Sequence, residues 1–273
     1  MLSLLSRFSR KPTENNALAE DKMAIALTAA TNGDYATALS IWEPLARAGN
    51  ARAQNNIGAC FAGGLGVTRD CQLARDWLIL SSEAGDPVGQ RNLASLLFTG
   101  EGIKPDHQRA LALYRQAAEQ GDGEAQDMLS WMLLEGEIAE PDPAEARRWA
   151  LAAAQNGSAA SMTRLGMLYH NALGVPRDPA EAVRWWRLGA NAGDADGQAM
   201  LGAAYHLGSG VERDPVAAFA WLLRARKGDS ALATPFFDIV HAALDTDQLA
   251  RAERLAAISL PEASAPLSKV GKP

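Results

Sequence analysis

The sequence predicts an all-α fold: stacked helix–turn–helix repeats forming a right-handed α-solenoid closed by a C-terminal helical cap. Three observations carry that expectation. Residues recur every thirty-six positions, apolar residues recur at helical spacing within each period, and cap and turn residues keep fixed places in it. From Asp70 the step lands on Asp106, Asp142, Asp178 and Asp214, and backwards on Asp34. Ala38, Ala74, Ala110, Ala146, Ala182 and Ala218 make a second series, and Gly49, Gly85, Gly121, Gly157 and Gly193 a third. The fourth is small throughout (Gly58, Ala94, Ser130, Gly166, Gly202), and the fifth is large and apolar (Trp77, Leu113, Trp149, Trp185, Trp221). Five series in one register exclude chance.

Residues 1–16 read as a flexible tail. Its tip places Leu4, Leu5 and Phe8 on one helical face beside Arg7, Arg10 and Lys11, a pattern able to lie on an anionic membrane. Ser3, Ser6 and Arg7 break the apolar stretch, so it does not read as a secretory signal. The repeat array spans residues 17–230 as about six units, the first of them (residues 17–49) lacking a glycine pair.

The unit over residues 159–194 shows the pattern most fully. Met162, Leu165, Gly166 and Tyr169 define its first helix. Gly166 sits mid-helix, where it costs about 1 kcal/mol relative to Ala, so another helix must pack against that backbone. Asp178 is the N-cap of the second helix, with Pro179 in its first turn and Glu181 placed for a capping box. Ala182, Trp185, Trp186 and Gly189 form its buried stripe. The turns between helices read Gly64-Leu65-Gly66, Gly100-Glu101-Gly102 and Gly208-Ser209-Gly210, as positive φ requires. Glu137-Ile138 breaks that pair in the fourth unit, where a different turn is expected. Gly228 falls one place early, so the last unit reads as one residue short.

After Asp229 the period stops but helical patterning continues. Phe236, Phe237, Ile239, Val240, Ala243 and Leu244 make one apolar segment. Thr246 and Asp247 then offer an N-cap for a helix through Leu249, Ala252, Leu255, Ala256 and Ile258. Residues 231–260 are thus expected to cover the open end of the array, because roughly thirty residues bury too little to fold alone. A tail over residues 261–273 follows.

Composition bounds the function. A formal net charge of -6 argues against general nucleic-acid binding, which relies on basic side chains meeting phosphates. No apolar run approaches the ~20 residues that span a bilayer. Cys60 and Cys71 are too few for a disulfide scaffold, although a bridge across their shared loop is geometrically open. The expected location is cytoplasmic. No phosphate loop, His-Glu-x-x-His, Cys-x-x-Cys or Gly-x-Ser-x-Gly appears, so no cofactor, metal or catalytic role is expected. His170 and His206 share one repeat position about 10 Å apart by helix packing. They read either as two polar residues on a solvated helix end or as a shared metal or anion site.

The pattern in Leu165-Gly166, Tyr169, Gly208-Ser209-Gly210-Val211, Asp214, Ala218 and Trp221 resembles Sel1-like repeats, relatives of tetratricopeptide repeats. Gly64-Leu65-Gly66-Val67 with Asp70 and Ala74 matches equally well. The resemblance implies a non-catalytic, protein-binding scaffold that takes a protein or peptide partner on its concave face; separately, a monomer is expected. Usage rich in Ala, Arg and Trp points to a bacterial source. A membrane-associated adaptor using the N-terminal tip is the alternative. A hydrolase or cell-wall binder is a further one that no residue constellation supports. Mapping the concave positions of tetratricopeptide-like helices onto this register selects Asn55, Arg91, Phe98, Asp127, Trp131, Met167, His170, Asn171 and His206. Asn55, Arg91 and Asp127 would clamp a peptide by hydrogen bonds, with Phe98, Trp131 and Met167 as apolar anchors. The opposite reading of the same residues is a solvated groove.

Overall fold

The computed structural model describes residues 12–260, and every regular element there is helical. Six helix pairs follow one another: α1 (Pro12–Thr31) with α2 (Tyr35–Arg47), α3 (Ala51–Gly63) with α4 (Cys71–Glu83), and α5 (Pro87–Thr99) with α6 (His107–Glu119). Then come α7 (Gly123–Glu135) with α8 (Pro143–Gln155), α9 (Ala159–Asn171) with α10 (Pro179–Asn191), and α11 (Ala195–Leu207) with α12 (Pro215–Lys227). A 3-10 turn (Ala231–Ala233), α13 (Thr234–Ala242) and α14 (Thr246–Ala257) complete the described chain. The helices fall into two compact units divided between Asp122 and Gly123. Helix α1 starts at Pro12, ahead of the Ala17 boundary expected for the first repeat. Residues 1–11, which carry the basic apolar tip, and residues 261–273 lie outside the described residues.

Helix length is set by the caps. Every helix from α2 to α12 has 13 residues, about 20 Å of axis at 1.5 Å per residue. The Asp series opens the second helices as expected: Asp34, Asp70, Asp106, Asp142, Asp178 and Asp214 each accept a first-turn backbone N–H. The expected capping box at Asp178 is only half made. The Glu181 carboxylate turns outward to Arg184 at 2.6 Å, because a guanidinium three residues on outcompetes a backbone amide already beside water. The complete box belongs to α14, and its N-cap is Asp245 with Gln248 rather than Thr246 or Asp247.

Glycine marks the other ends. Gly64, Gly100 and Gly208 are left-handed C-caps, and Ala172 takes that conformation at φ 57°. In the fourth repeat Gly136 stays left-handed while Ile138 does not, so that turn differs as expected. The last repeat is not short. Asp229 adopts φ 59° at the place held by Gly193 one repeat earlier, while Gly228 has φ -91°. Asp tolerates the left-handed region better than most residues, which keeps the repeat at thirty-six.

The recurring small residue lets the two helices of a repeat touch. A Cβ added to Gly166 would lie 2.3 Å from the Trp186 ring, and one on Gly58 or Gly202 would press on Leu78 or Leu222. The second glycine of each turn has a related duty: a Cβ on Gly210 would sit 2.0 Å from the Pro179 carbonyl oxygen of the preceding repeat. In the first unit the core gathers Ala26, Ala38, Trp42, Ala53, Ile57 and Cys60. In the second, Leu165, Leu168 and Trp185 form one cluster, with Trp186, Leu201 and Val183 in the next. Trp149 is buried too, whereas Trp77 and Trp221 are only half-buried.

The end of the second unit is covered as expected. Val240, Leu244 and Ala252 pack with Phe219, Leu222 and Ala225 of α12. Arg224 fixes the last helix by donating to the C-terminal carbonyls of Leu255 (2.7 Å), Ala256 (3.1 Å) and Ile258 (2.7 Å), of which Leu255 also accepts from the C-cap Ile258 N–H at 3.3 Å.

Candidate functional site

First helices of adjacent repeats touch one another, α3 with α5 in the first unit and α7 with α9 and α9 with α11 in the second. The nine residues selected from sequence lie on the first helices of both units, and these divide by what their side chains meet.

Asn55, Arg91 and Asp127 are used within the array. Asn55 is buried and accepts from Asn92 of the next repeat at 2.8 Å. Arg91 donates to both carboxylate oxygens of Asp122 at 3.1 and 3.2 Å. Asp127 accepts from Ser158 at 2.9 Å, from Arg164 at 2.9 Å and from Ser161. Burial works against the Asp127 charge, but the Arg164 guanidinium and the two hydroxyls outweigh it and hold its carboxyl below the usual carboxylate range. Thr163 continues the arrangement, donating to Asp194 at 2.6 Å. Within each unit such bonds tie a first helix to the repeat that follows it, α3 to α5 in the first and α7 to α9 and α9 to the cap of α11 in the second.

Three of those six partners, Asp122, Ser158 and Asp194, fall in a series that the period also displays. Asn50, Asp86, Ser158 and Asp194 cap α3, α5, α9 and α11 through their side chains. With Asp122 and Ser230 they make a further thirty-six-residue series of short polar residues, a signal present in the sequence and unused there. Arg164 carries no such signal, because its importance comes from Asp127, one repeat away.

The remaining six residues are half-buried or exposed. In the first unit Phe98 is half-buried against His107, ring centroids 5.5 Å apart. In the second, Trp131 and Met167 are half-buried at equivalent positions of α7 and α9. Met128 and Met200, one residue ahead of the Asp127 and Ala199 positions, are half-buried on α7 and α11. His170 lies 5.3 Å from the Trp186 ring and His206 6.3 Å from Phe236, so the two imidazoles pack on different aromatics. Asn171 is exposed at the end of α9. Among the described residues no group of three or more His, Cys, Asp or Glu side chains gathers as a metal site. Both cysteines are free thiols, and burial pushes the Cys60 thiol up. No helix among them is long and apolar enough to cross a membrane.

Paired thirteen-residue helices, repeated with their caps and cross-repeat ties, define an α-solenoid repeat protein. The chain belongs to the Sel1 repeat family, which matches five consecutive segments, residues 51–86, 87–122, 123–158, 159–194 and 195–230. It is similar to a Sel1 repeat protein from Oxalobacter formigenes, with a TM-score of 0.78 and 25% identity over 89% of this chain and 99% of the other. It is also similar to a protective antigen of uropathogenic Escherichia coli with an SLR fold, with a TM-score of 0.59 and 25% identity, covering 87% of this chain and 60% of that one. No curated protein matches the chain.

Proposed function

We propose that this chain is a non-catalytic scaffold that binds a protein or peptide partner on the concave face formed by its first helices. Sel1 repeat proteins are generally protein-interaction scaffolds, and the family is typically non-catalytic. The observation that carries the finer reading is the contrast along that face. In the first unit the positions equivalent to Met128 and Trp131 hold Asn56, Asn92, Ala59 and Ser95, small or polar residues. In the second unit four of the six positions hold Met128, Trp131, Met167 and Met200, half-buried apolar side chains that internal packing leaves partly accessible, while the other two hold Arg164, tied to Asp127, and the buried Ala203. Methionine adapts to irregular partners and tryptophan supplies concentrated apolar area, the properties of interface anchors.

Asn55 and Asp127 contribute by holding neighbouring first helices of their own units in register, and Arg91 by its bond to Asp122. Phe98, Trp131, Met167, His170, Asn171 and His206 are the contact residues. The test is affinity capture with mass spectrometry, comparing wild type, Trp131→Ala with Met167→Ala, and the second-helix substitution Arg187→Glu. The reading expects the paired substitution to lose a partner that wild type and Arg187→Glu retain, with unchanged helicity. Retention by the pair and loss with Arg187→Glu would move the working surface to the second helices.

A further inference from the structure

One cleft of the first unit departs from the repeat in its charge. It measures ≈ 520 Å3, within the ~300–1,000 Å3 of ligand-sized clefts, and Arg75, Lys104 and Arg109 border an apolar floor of Ile79, Leu97 and Pro105. Thirty-six residues on, the places of Lys104 and Arg109 are held by Glu140 and Glu145, and Arg109 becomes Glu181 one repeat later. The fold therefore needs no cation at either place. Glu145 and Glu181 are each neutralised by an arginine three residues on, whereas Arg109 has Ala112 there.

Among the described residues neither Lys104 nor Arg109 has an ion-pair partner. Arg75 is held by its chain neighbour Asp76 at 3.0 Å, with both side chains open to solvent (37% and 60%), and such pairs are weak. The acidic residue of the lining, Asp106, caps α6 by accepting from the Arg109 backbone at 3.0 Å. On a chain of net charge -6, these cations form a local reversal of sign.

We propose that this cleft docks an acidic segment of a partner protein. Its carboxylates meet Lys104, Arg109 and Arg75, and an intervening apolar side chain seats on Ile79 and Pro105. Complementary charge of this kind selects partners and speeds encounter more than it adds affinity, so binding is weak in isolation and sensitive to salt. The site shares no residue with the first-helix face and stands or falls independently of it.

The test is fluorescence anisotropy of the full chain with a labelled decapeptide made of two Glu-Glu-Leu-Glu-Glu blocks, run against its Gln counterpart and a phosphoserine version. The expected result is binding of the Glu peptide that weakens as salt rises, with the Gln peptide silent. Lys104→Glu with Arg109→Glu, which installs the acids that the next repeat carries at both places, should weaken binding at least tenfold at unchanged helicity. Lys104→Gln with Arg109→Gln should fall between. Equal binding by wild type and the reversed variant, no binding by wild type, or binding of the phosphoserine peptide alone would each overturn the assignment.

Discussion

Gly166 shows at the residue scale how a sequence rule becomes a packing fact. Its recurrence with Gly58 and Gly202 predicts a close helix contact, and the Trp186 ring fills the place a Cβ would take. Replacing Gly166 with Leu should destabilise the chain by about 1–3 kcal/mol, read by urea denaturation, and no loss would remove the packing argument. Ala172 is the converse case, an alanine in the left-handed C-cap that Gly64, Gly100 and Gly208 occupy elsewhere. The left-handed region costs an L-residue roughly 1–2 kcal/mol, and glycine returns part of that as unfolded-chain entropy. Ala172→Gly should therefore stabilise by about 0.5–1 kcal/mol in the same measurement. Gly228 misleads at this scale because glycine is not the only marker of the turn: the backbone needs only a residue that tolerates positive φ, and Asp229 supplies it.

Between elements, side-chain ties set the register, and here the sequence was less legible. The pairing of the Asp series with second-helix starts could be read directly, because a cap and its amides lie within three residues of each other. Asn55, Arg91 and Asp127 could be placed on the right face but not given their partners, which lie thirty-one to thirty-seven residues away. Finding those partners requires the angle between neighbouring repeats, which periodicity does not contain. Asp127 gives this a pH signature. Its folded carboxyl lies below the unfolded value of about 3.9. Its contribution is therefore complete well above that value and is lost as pH falls through the lowered folded one. Asp127→Asn should cost about 1–3 kcal/mol near neutral pH, and the gap to wild type should narrow as pH falls below the ordinary carboxylate range. A gap constant from pH 7 to pH 2 would contradict the ion-pair account.

For the whole molecule, the architecture was legible because repetition multiplies a weak local signal. The period, the family resemblance and the closing segment after Asp229 were all readable before any coordinates. The cap makes a quantitative claim. Ending the chain at Asp229 would strip Val240, Leu244 and Ala252 from Phe219 and Leu222, which are otherwise buried. Re-exposing two such side chains costs about 3–6 kcal/mol at 1.5–3 kcal/mol each. Denaturation of the shortened chain should show that loss, and unchanged stability would mean the last helices do not act as a lid.

The proposed function places partner binding where Trp131 and Met167 lie. A photo-crosslinking amino acid installed in place of Met167, and separately in place of Arg187, tests it directly in cells of the native host. The account predicts a discrete protein adduct from position 167, lost when Trp131→Ala is added, and none from position 187. Adducts from position 187 alone would contradict it.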